Sequence, residues 1–338
     1  MARIMRGMSF FAILFALLIE QVRPLGPQNR VHSLLRNWAR WVSSNFDAGK
    51  RQHGWIAWTL AVVVPALGAL AIHWLLVVFV GWPVAVLWNV AVLYVTLGFR
   101  QFSHHFTNIR DALDAGDEVQ ARTLLANWQQ VDASELPRSE IVRHVIEYSV
   151  LAAHRHVFGV LTWFSVLAAF GFGPAGAVLY RTSEFVGRYW SHRNALLAPR
   201  GSLALREAAN RAWHAIDWLP ARVTAIAFVV VGSFEEAIDC WRNHAQRFPG
   251  DNDGVILAAT SGAVNVRLGG EALRAAFSSG GDFRAAAAAP FDAMVEAEST
   301  SGREAEVAHL RSIVGLVWRT VVLWMVLLAL LTMARLLG

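Results

Sequence analysis

From Gly54 to Arg100 the chain is almost wholly apolar, and Gly81-Trp82-Pro83 alone breaks the run. About 20 apolar residues span a bilayer core. Residues 55–80 are therefore long enough to cross, and 84–99 are short but usable with a tight turn at one interface, which predicts a transmembrane helical hairpin. Nearer the amino terminus, the apolar residues 8–19 follow Arg3 and Arg6 and mimic a signal peptide. Glu20, Gln21 and Arg23 then stand where a small-residue cleavage site would be needed, so a retained first helix is expected. Val31, Leu34, Leu35, Trp38, Trp41 and Val42 fall at helical spacing opposite Arg30, Arg36 and Arg40. That is the pattern of a helix lying in the membrane interface, with a packed amphipathic helix as the alternative.

Beyond the hairpin, residues 108–145 are mixed in charge, with Asp111, Asp114, Asp117, Glu118 and Glu135 among Arg110, Arg122 and Arg138, and predict two helices parted near 132–137. Residues 157–180 are apolar again, but Gly171-Phe172-Gly173-Pro174 divides them into two pieces each too short to cross, the pattern of a re-entrant pair of half-helices. Residues 222–234 form a short apolar piece expected to be buried. Residues 271–302 are rich in Ala, Gly and Ser, with alanines at 285–289, and read as a loop or weak helix. Residues 314–333 predict a last transmembrane helix.

The expected class is all-α: a polytopic helical membrane protein with a hairpin, a re-entrant or broken segment and cytoplasmic helices. Its expected organisation is an N-terminal and an interfacial helix over 1–53, the hairpin over 54–100, cytoplasmic helices over 101–156, a re-entrant and ligand-facing region over 157–311, and a C-terminal helix over 312–338. Arginine flanks the broken segment on both sides, Arg138, Arg143 and Arg155 before it and Arg181, Arg188 and Arg193 after it. The positive-inside rule then puts both flanks in the cytoplasm. By the same rule Gln28, Gly116 and the segment 278–281 are expected to be cytoplasmic and the Gly81–Pro83 turn periplasmic, as in a multi-pass protein of a bacterial inner membrane.

Composition agrees with this picture: 55% of the 338 residues are hydrophobic and only 16% charged, too apolar for an ordinary soluble domain. The net charge of +5 comes from arginines scattered between apolar segments and mixed with acids, which speaks against a nucleic-acid partner. Lys50 is the single lysine, and Cys240, the single cysteine, offers neither a disulfide nor a cysteine zinc site.

Polar residues within apolar helices are functional suspects, and His73, Asn89 and Arg319 stand out. His73 and Asn89 lie at similar distances from the hairpin turn, so a structural hydrogen bond across it is the expected role. Arg319 sits early in its helix and can snorkel. Glu140, His144 and Glu147 share a helical face, with His154-Arg155-His156 after them, but mixed-charge helices produce such spacings by chance and no resident metal is expected. The glycines at 262–270 lack the lysine and spacing of a phosphate-binding loop.

One long segment carries more. Asn252 to Gly270, NDGVILAATSGAVNVRLGG, resembles N-A-G-x-P-M-A-A-M-A-G-A-L-G-V-x-L-G-G of the CobD/CbiB membrane family of cobalamin biosynthesis, to which AmpE-type proteins are related. Residues 217–225, DWLPARVTA, resemble the family's N-W-I-P-A-R-L-T-A, and 176–181, GAVLYR, its G-A-x-x-Y-R. The resemblance implies an adenosylcobinamide-phosphate synthase, which joins a carboxyl of adenosylcobyric acid to aminopropanol phosphate with ATP, and hence Mg-ATP and a corrinoid at the site. It points to Glu147, Tyr180, Arg181, Asp217, Arg222, Thr224 and Asn252 as ligand-binding residues. The departures fall on the family's acids. Leu151 and Ala152 replace Glu-Asn, Arg155-His156 replace Asp-Gly, Phe185 falls within the N-T-x-D-S-M segment, Trp213-His214 replace Asp-Asp, and a further acidic segment is reduced to Val131-Asp132-Ala133-Ser134. Apolar side chains cannot hold a hard cation. The expectation is therefore an AmpE-like binding or regulatory protein with a degenerate site, whose partners are membrane lipids and an anionic small molecule or a regulatory protein. A divergent synthase using Glu184, Asp217 or Asp132 is the alternative, and a transporter, which would need paired broken helices, is a third reading.

Overall fold

The computed structural model describes residues 2–22, 30–129, 133–134, 136–191, 202–248, 250–269 and 299–337, without the side chains of 2–9, 99–102 and 335–337. Arg23, Gln28, Asp132, Glu135, Arg193 and the segments 271–298 and 278–281 named above lie outside the described residues. Among the described residues there is no strand, only an isolated parallel bridge between Val266 and Arg303. The helices are α1 (Ala2–Val22), α2 (Arg30–Phe46), α3 (Arg51–Phe79), α4 (Trp82–Thr96), α5 (Phe99–Asp114), α6 (Glu118–Gln129), α7 (Arg138–Ala153), α8 (Gly159–Ala169), α9 (Ala175–Ser191), α10 (Leu203–Val231), α11 (Phe234–His244), α12 (Asp251–Val264) and α13 (Val307–Leu337). Among the described residues four helical stretches are long and apolar enough to cross a membrane: Arg51–Phe79, Arg138–Ala169, Leu203–Val231 and Val307–Ala334. The protein is a polytopic helical membrane protein.

Contacts divide the chain into two compact units. The first comprises Met1–Gln101, Arg155–Pro220 and Met325–Gly338, and the second Phe102–His154 and Ala221–Trp324. In the first unit the expected hairpin is α3 and α4, turning at Gly81, whose φ of 114° suits glycine. Trp88 donates its indole N–H to the Ala69 carbonyl at 3.1 Å across it. His73 and Asn89 are both buried and pair across the hairpin. The break at 170–174 follows from its glycines. Gly171 and Gly173 have φ of 83° and 52°, and a Cβ on Gly173 would lie 2.6 Å from the His73 ring. α1 packs on α4 and α8. A core of Ala39, Val42, Trp58, Ala61, Val186 and Trp190 joins α2, α3 and α9 with the first half of α10.

Two differences from the pattern-based reading have physical causes. The piece before the break is not short: α7 runs through a π-helical turn, His154–Phe158, into α8 as one 32-residue helix. The charges of Arg138 to His156 disguise its first half. Likewise 222–234 is not a separate piece, because 222–231 complete α10, whose amphipathic first half carries Glu207, Arg211 and Asp217.

α3 and α10 each contain an internal proline, Pro65 and Pro220. A proline removes the N–H that would bond the carbonyl four residues earlier, here Ala61 and Ile216. Both carbonyls receive a tryptophan instead. Trp38 Nε1 donates to Ala61 O at 3.3 Å and Trp163 Nε1 to Ile216 O at 2.9 Å. In lipid a freed backbone group needs such a substitute partner.

In the second unit α11 and α12 lie almost backbone to backbone. A Cβ on Gly262 would stand 2.2 Å from Glu236 O, and one on Gly254 would stand 2.3 Å from Ala245 O. The small residues of the 252–270 segment thus serve packing.

Candidate functional site

α12 ends at Asn265, in the left-handed region at φ 52°. The chain then runs alongside residues 299–303. Arg267 N–H bonds Arg303 O at 2.7 Å, Thr300 N–H bonds Leu268 O at 2.8 Å, and the Thr300 hydroxyl accepts from Leu268 N–H at 2.8 Å. Ser261, on the last turn of α12, hydrogen-bonds Val266 O at 2.7 Å and the Thr300 hydroxyl at 2.6 Å. This brace presents the Gly269 peptide to α7. Glu147 Oε1 accepts its N–H at 2.7 Å, and Arg143 donates to its carbonyl. Arg143 also pairs with Glu140 and lies 3.9 Å from Glu147 Oε1. Glu147 is 1% exposed, and its Oε2 has no hydrogen-bond partner among the described residues. Gly269 holds φ 91°, which explains the glycine.

Two further pairs belong to the same unit. Arg222 donates to Asn252 Oδ1 at 2.6 Å, so its guanidinium is engaged with the first turn of α12. Thr224 is fully buried with its hydroxyl 2.9 Å from His154 Nδ1, in the π-helical turn.

In the first unit Tyr180, 0% exposed, donates its hydroxyl to Asp217 Oδ1 at 2.8 Å. Its ring fits over Gly159, where a Cβ would come within 2.1 Å, and meets Trp213 at 5.2 Å between centroids. One turn on, Glu184 accepts from Arg181 at 2.7 Å and faces Arg188 at 3.5 Å. Burial pushes the Glu184 carboxyl up, but Arg188, Arg181, His156 and Arg155 outweigh it and hold it at about 2.

The seven residues singled out by resemblance thus fall in both units. Glu147, Arg222, Thr224 and Asn252 are in the second, Tyr180, Arg181 and Asp217 in the first, and each has a defined partner within its own unit. Arg143 and Thr300 belong to the site although no sequence motif marks them, and Ser261 lies within the 252–270 segment where the family pattern has alanine. Glu140, Arg143 and Glu147 sit at i, i+3 and i+7, a spacing that signals a charged helix face, but the Gly269 peptide they serve is more than a hundred residues away. The substituted positions carry packing roles: Leu151 is buried, and Phe185 stacks on Tyr189 at 5.5 Å. Among the described residues no three His, Cys, Asp or Glu side chains are arranged to hold a metal. The buried carboxylates of Glu147, Glu184 and Asp217 instead each have an arginine or tyrosine beside them.

The CobD/Cbib family model matches residues 10–280. The chain belongs to the CobD/CbiB family. Among its relatives is a protein of Stutzerimonas stutzeri (strain A1501), 30% identical over 327 residues, 94% of this chain and 96% of the relative. One from Chromobacterium violaceum is 34% identical over 183 residues, 54% of this chain and 55% of the relative. One from Mycobacterium tuberculosis (strain CDC 1551 / Oshkosh) is 30% identical over 194 residues, 56% and 58% of the two chains. Each is named "Cobalamin biosynthesis protein CobD". No solved structure matches. In CobD/CbiB terms, the motif at 252–270 combines the α11–α12 packing glycines with the peptide that Glu147 and Arg143 grip.

Proposed function

We propose that this protein is an adenosylcobinamide-phosphate synthase of cobalamin biosynthesis, acting in a bacterial inner membrane. The carrying observation is the relation to the Stutzerimonas protein over 94% of this chain. A biosynthetic name runs through the relatives, and none of those described carries a regulatory, AmpE-like one, so the synthase reading is favoured over the regulatory reading that the substituted acids suggested.

The buried groups support it. Burying an arginine–carboxylate pair costs desolvation that the pairing barely offsets, so such pairs are weak devices for stability alone. In the reaction the corrinoid carboxylate attacks the γ-phosphorus of ATP and releases ADP. The amine of aminopropanol phosphate then attacks the acyl carbon, losing a proton as inorganic phosphate leaves. Glu147 Oε2 is the acceptor we assign to that proton, held in place by Oε1 on Gly269 N–H. Arg222, positioned by Asn252, is the contact for a phosphate, because a guanidinium keeps its charge and offers a planar fork. Magnesium enters on the nucleotide and needs only one or two protein carboxylates beside the phosphates, so the losses at Leu151, Phe185 and Trp213 do not forbid turnover.

The test is direct: protein in lipid nanodiscs with ATP, adenosylcobyric acid and aminopropanol phosphate, with the amide product read by mass spectrometry. ATP-dependent product formation that fails in Glu147→Gln is expected. Folded protein that binds the corrinoid yet forms no product would return the chain to the binding-protein reading.

A further inference from the structure

Within the first unit, α2, α3, α4 and α9 line a half-open cavity of about 600 Å³, a size typical of a site for one small amphiphile or cofactor. Its wall is hydrocarbon: Leu35 and Trp38 from α2, Pro65 and Ile72 from α3, Val95 from α4 and Phe185 from α9. The lining hydroxyls of Thr96 and Thr182 are spent on carbonyls of their own helices. Two groups remain for polar recognition, His32 and Arg181. They lie close together, because the charge of Arg181 acts on His32 beside those of Arg188, Arg36 and Glu184, and burial with the three arginines depresses the imidazole despite Glu184. Around His32, three arginines therefore act beside one carboxylate. An apolar chamber with surplus positive charge at a single place matches a molecule with a hydrocarbon tail and an anionic head. A corrinoid, rimmed with amides, would leave those amides unpaired against this wall.

We propose that the α2–α3–α4–α9 cavity is a binding site for one anionic phospholipid, its acyl chain in the chamber and its phosphate on Arg181 with Arg188 and Arg36. Arg181 offers N–H groups beyond the one given to Glu184, in the geometry that suits a phosphate. α2, an amphipathic helix with arginines on its polar face, completes the chamber, so the lipid links that helix to the hairpin. The site is independent of the synthase reading.

The test counts lipid retained by the whole protein. Protein equilibrated in nanodiscs of phosphatidylcholine with one-fifth phosphatidylglycerol is released into the gas phase, and its bound lipid is identified by native mass spectrometry. A surplus surface arginine favours an anionic lipid roughly fivefold, so the surplus of two predicts about 25-fold retention of phosphatidylglycerol over phosphatidylcholine. Gly68 lines the chamber, and a Cβ added there would have nothing within 4 Å. Gly68→Phe is therefore expected to fill it and abolish retention, and Ala91→Phe, from α4, is the second variant if the first does not fold. Arg188→Gln, at a side chain 53% exposed, is expected to cut the preference about fivefold while leaving one lipid bound. Retention of the two lipids in their one-to-four bilayer proportion would mean annular lipid only and overturn the proposal. So would retention that survives filling the chamber, or displacement of the lipid by millimolar inorganic phosphate, which would identify a soluble-phosphate site.

Discussion

If Trp163 stands in for the N–H that Pro220 lacks, its worth should vanish when the proline is removed. Trp163→Phe keeps a ring in place but leaves Ile216 O without a donor, deleting a hydrogen bond 2.9 Å long. Interhelical hydrogen bonds in membrane proteins contribute about 0.6 kcal/mol on average and up to about 1.7. An orphaned carbonyl lies above the average, at about 1 kcal/mol, because no water replaces the donor. The smaller ring adds a packing loss of about 1 kcal/mol. The total for Trp163→Phe is then about 2 kcal/mol. In Pro220→Ala the alanine N–H restores the helical partner of Ile216 O, so Trp163→Phe made on that background should cost only the packing part. The expected coupling in the double-mutant cycle is about 1 kcal/mol, well outside the roughly 0.3–0.5 kcal/mol scatter of independent sites. Stability would be measured by SDS titration in mixed micelles, with helix content read by circular dichroism. Trp88→Phe is the control: its acceptor, Ala69 O, faces the intact N–H of His73 in α3, so no carbonyl is orphaned. A coupling indistinguishable from zero, or a Trp88→Phe loss as large as that of Trp163→Phe, would refute the substitution argument.

Gly269→Ala should lower stability by about 1–2 kcal/mol, since alanine is disfavoured at φ 91°, and should depress synthase turnover by shifting the peptide that Glu147 grips; paired thermal-shift and product assays read both. Glu147→Gln keeps an oxygen for Gly269 N–H but removes the proton acceptor, so product formation should fall about 100-fold or more while Tm changes little. Arg222→Lys should raise KM for the phosphate-bearing substrate by about tenfold, the charge remaining and the fork being lost; unchanged KM would make Arg222 a scaffold residue. Because Glu184 titrates at about 2 against an ordinary 4.5, its ionised form stabilises the fold above pH 4.5. That contribution is lost as pH falls from about 4.5 to about 2, so stability should decline across this window in the native protein and decline less in Glu184→Gln.

The hairpin is legible in the sequence because apolar length and a Gly-Trp-Pro turn are local properties. The extent of α7–α8 and of α10 is not, since each joins a polar half to an apolar half and hydropathy marks only the second. At the site, resemblance picks out Glu147, Arg222 and Asn252, and spacing places Arg143 on the face of Glu147. What no local pattern can supply is that both α7 side chains address the backbone of Gly269: a peptide group has no letter in the sequence. The indole donors are hidden for the same reason, a proline being visible while the carbonyl it orphans is not.

The order of those donors along the chain has a consequence for biogenesis. Trp38 precedes Pro65, and Trp163 precedes Pro220. A ribosome feeding this chain into the bilayer will therefore have released each indole before the helix that needs it arrives. Each proline-containing segment can find its substitute partner on entry, without waiting for a later segment to be translated. Reversing that order by circular permutation would make insertion, rather than final stability, the step that fails.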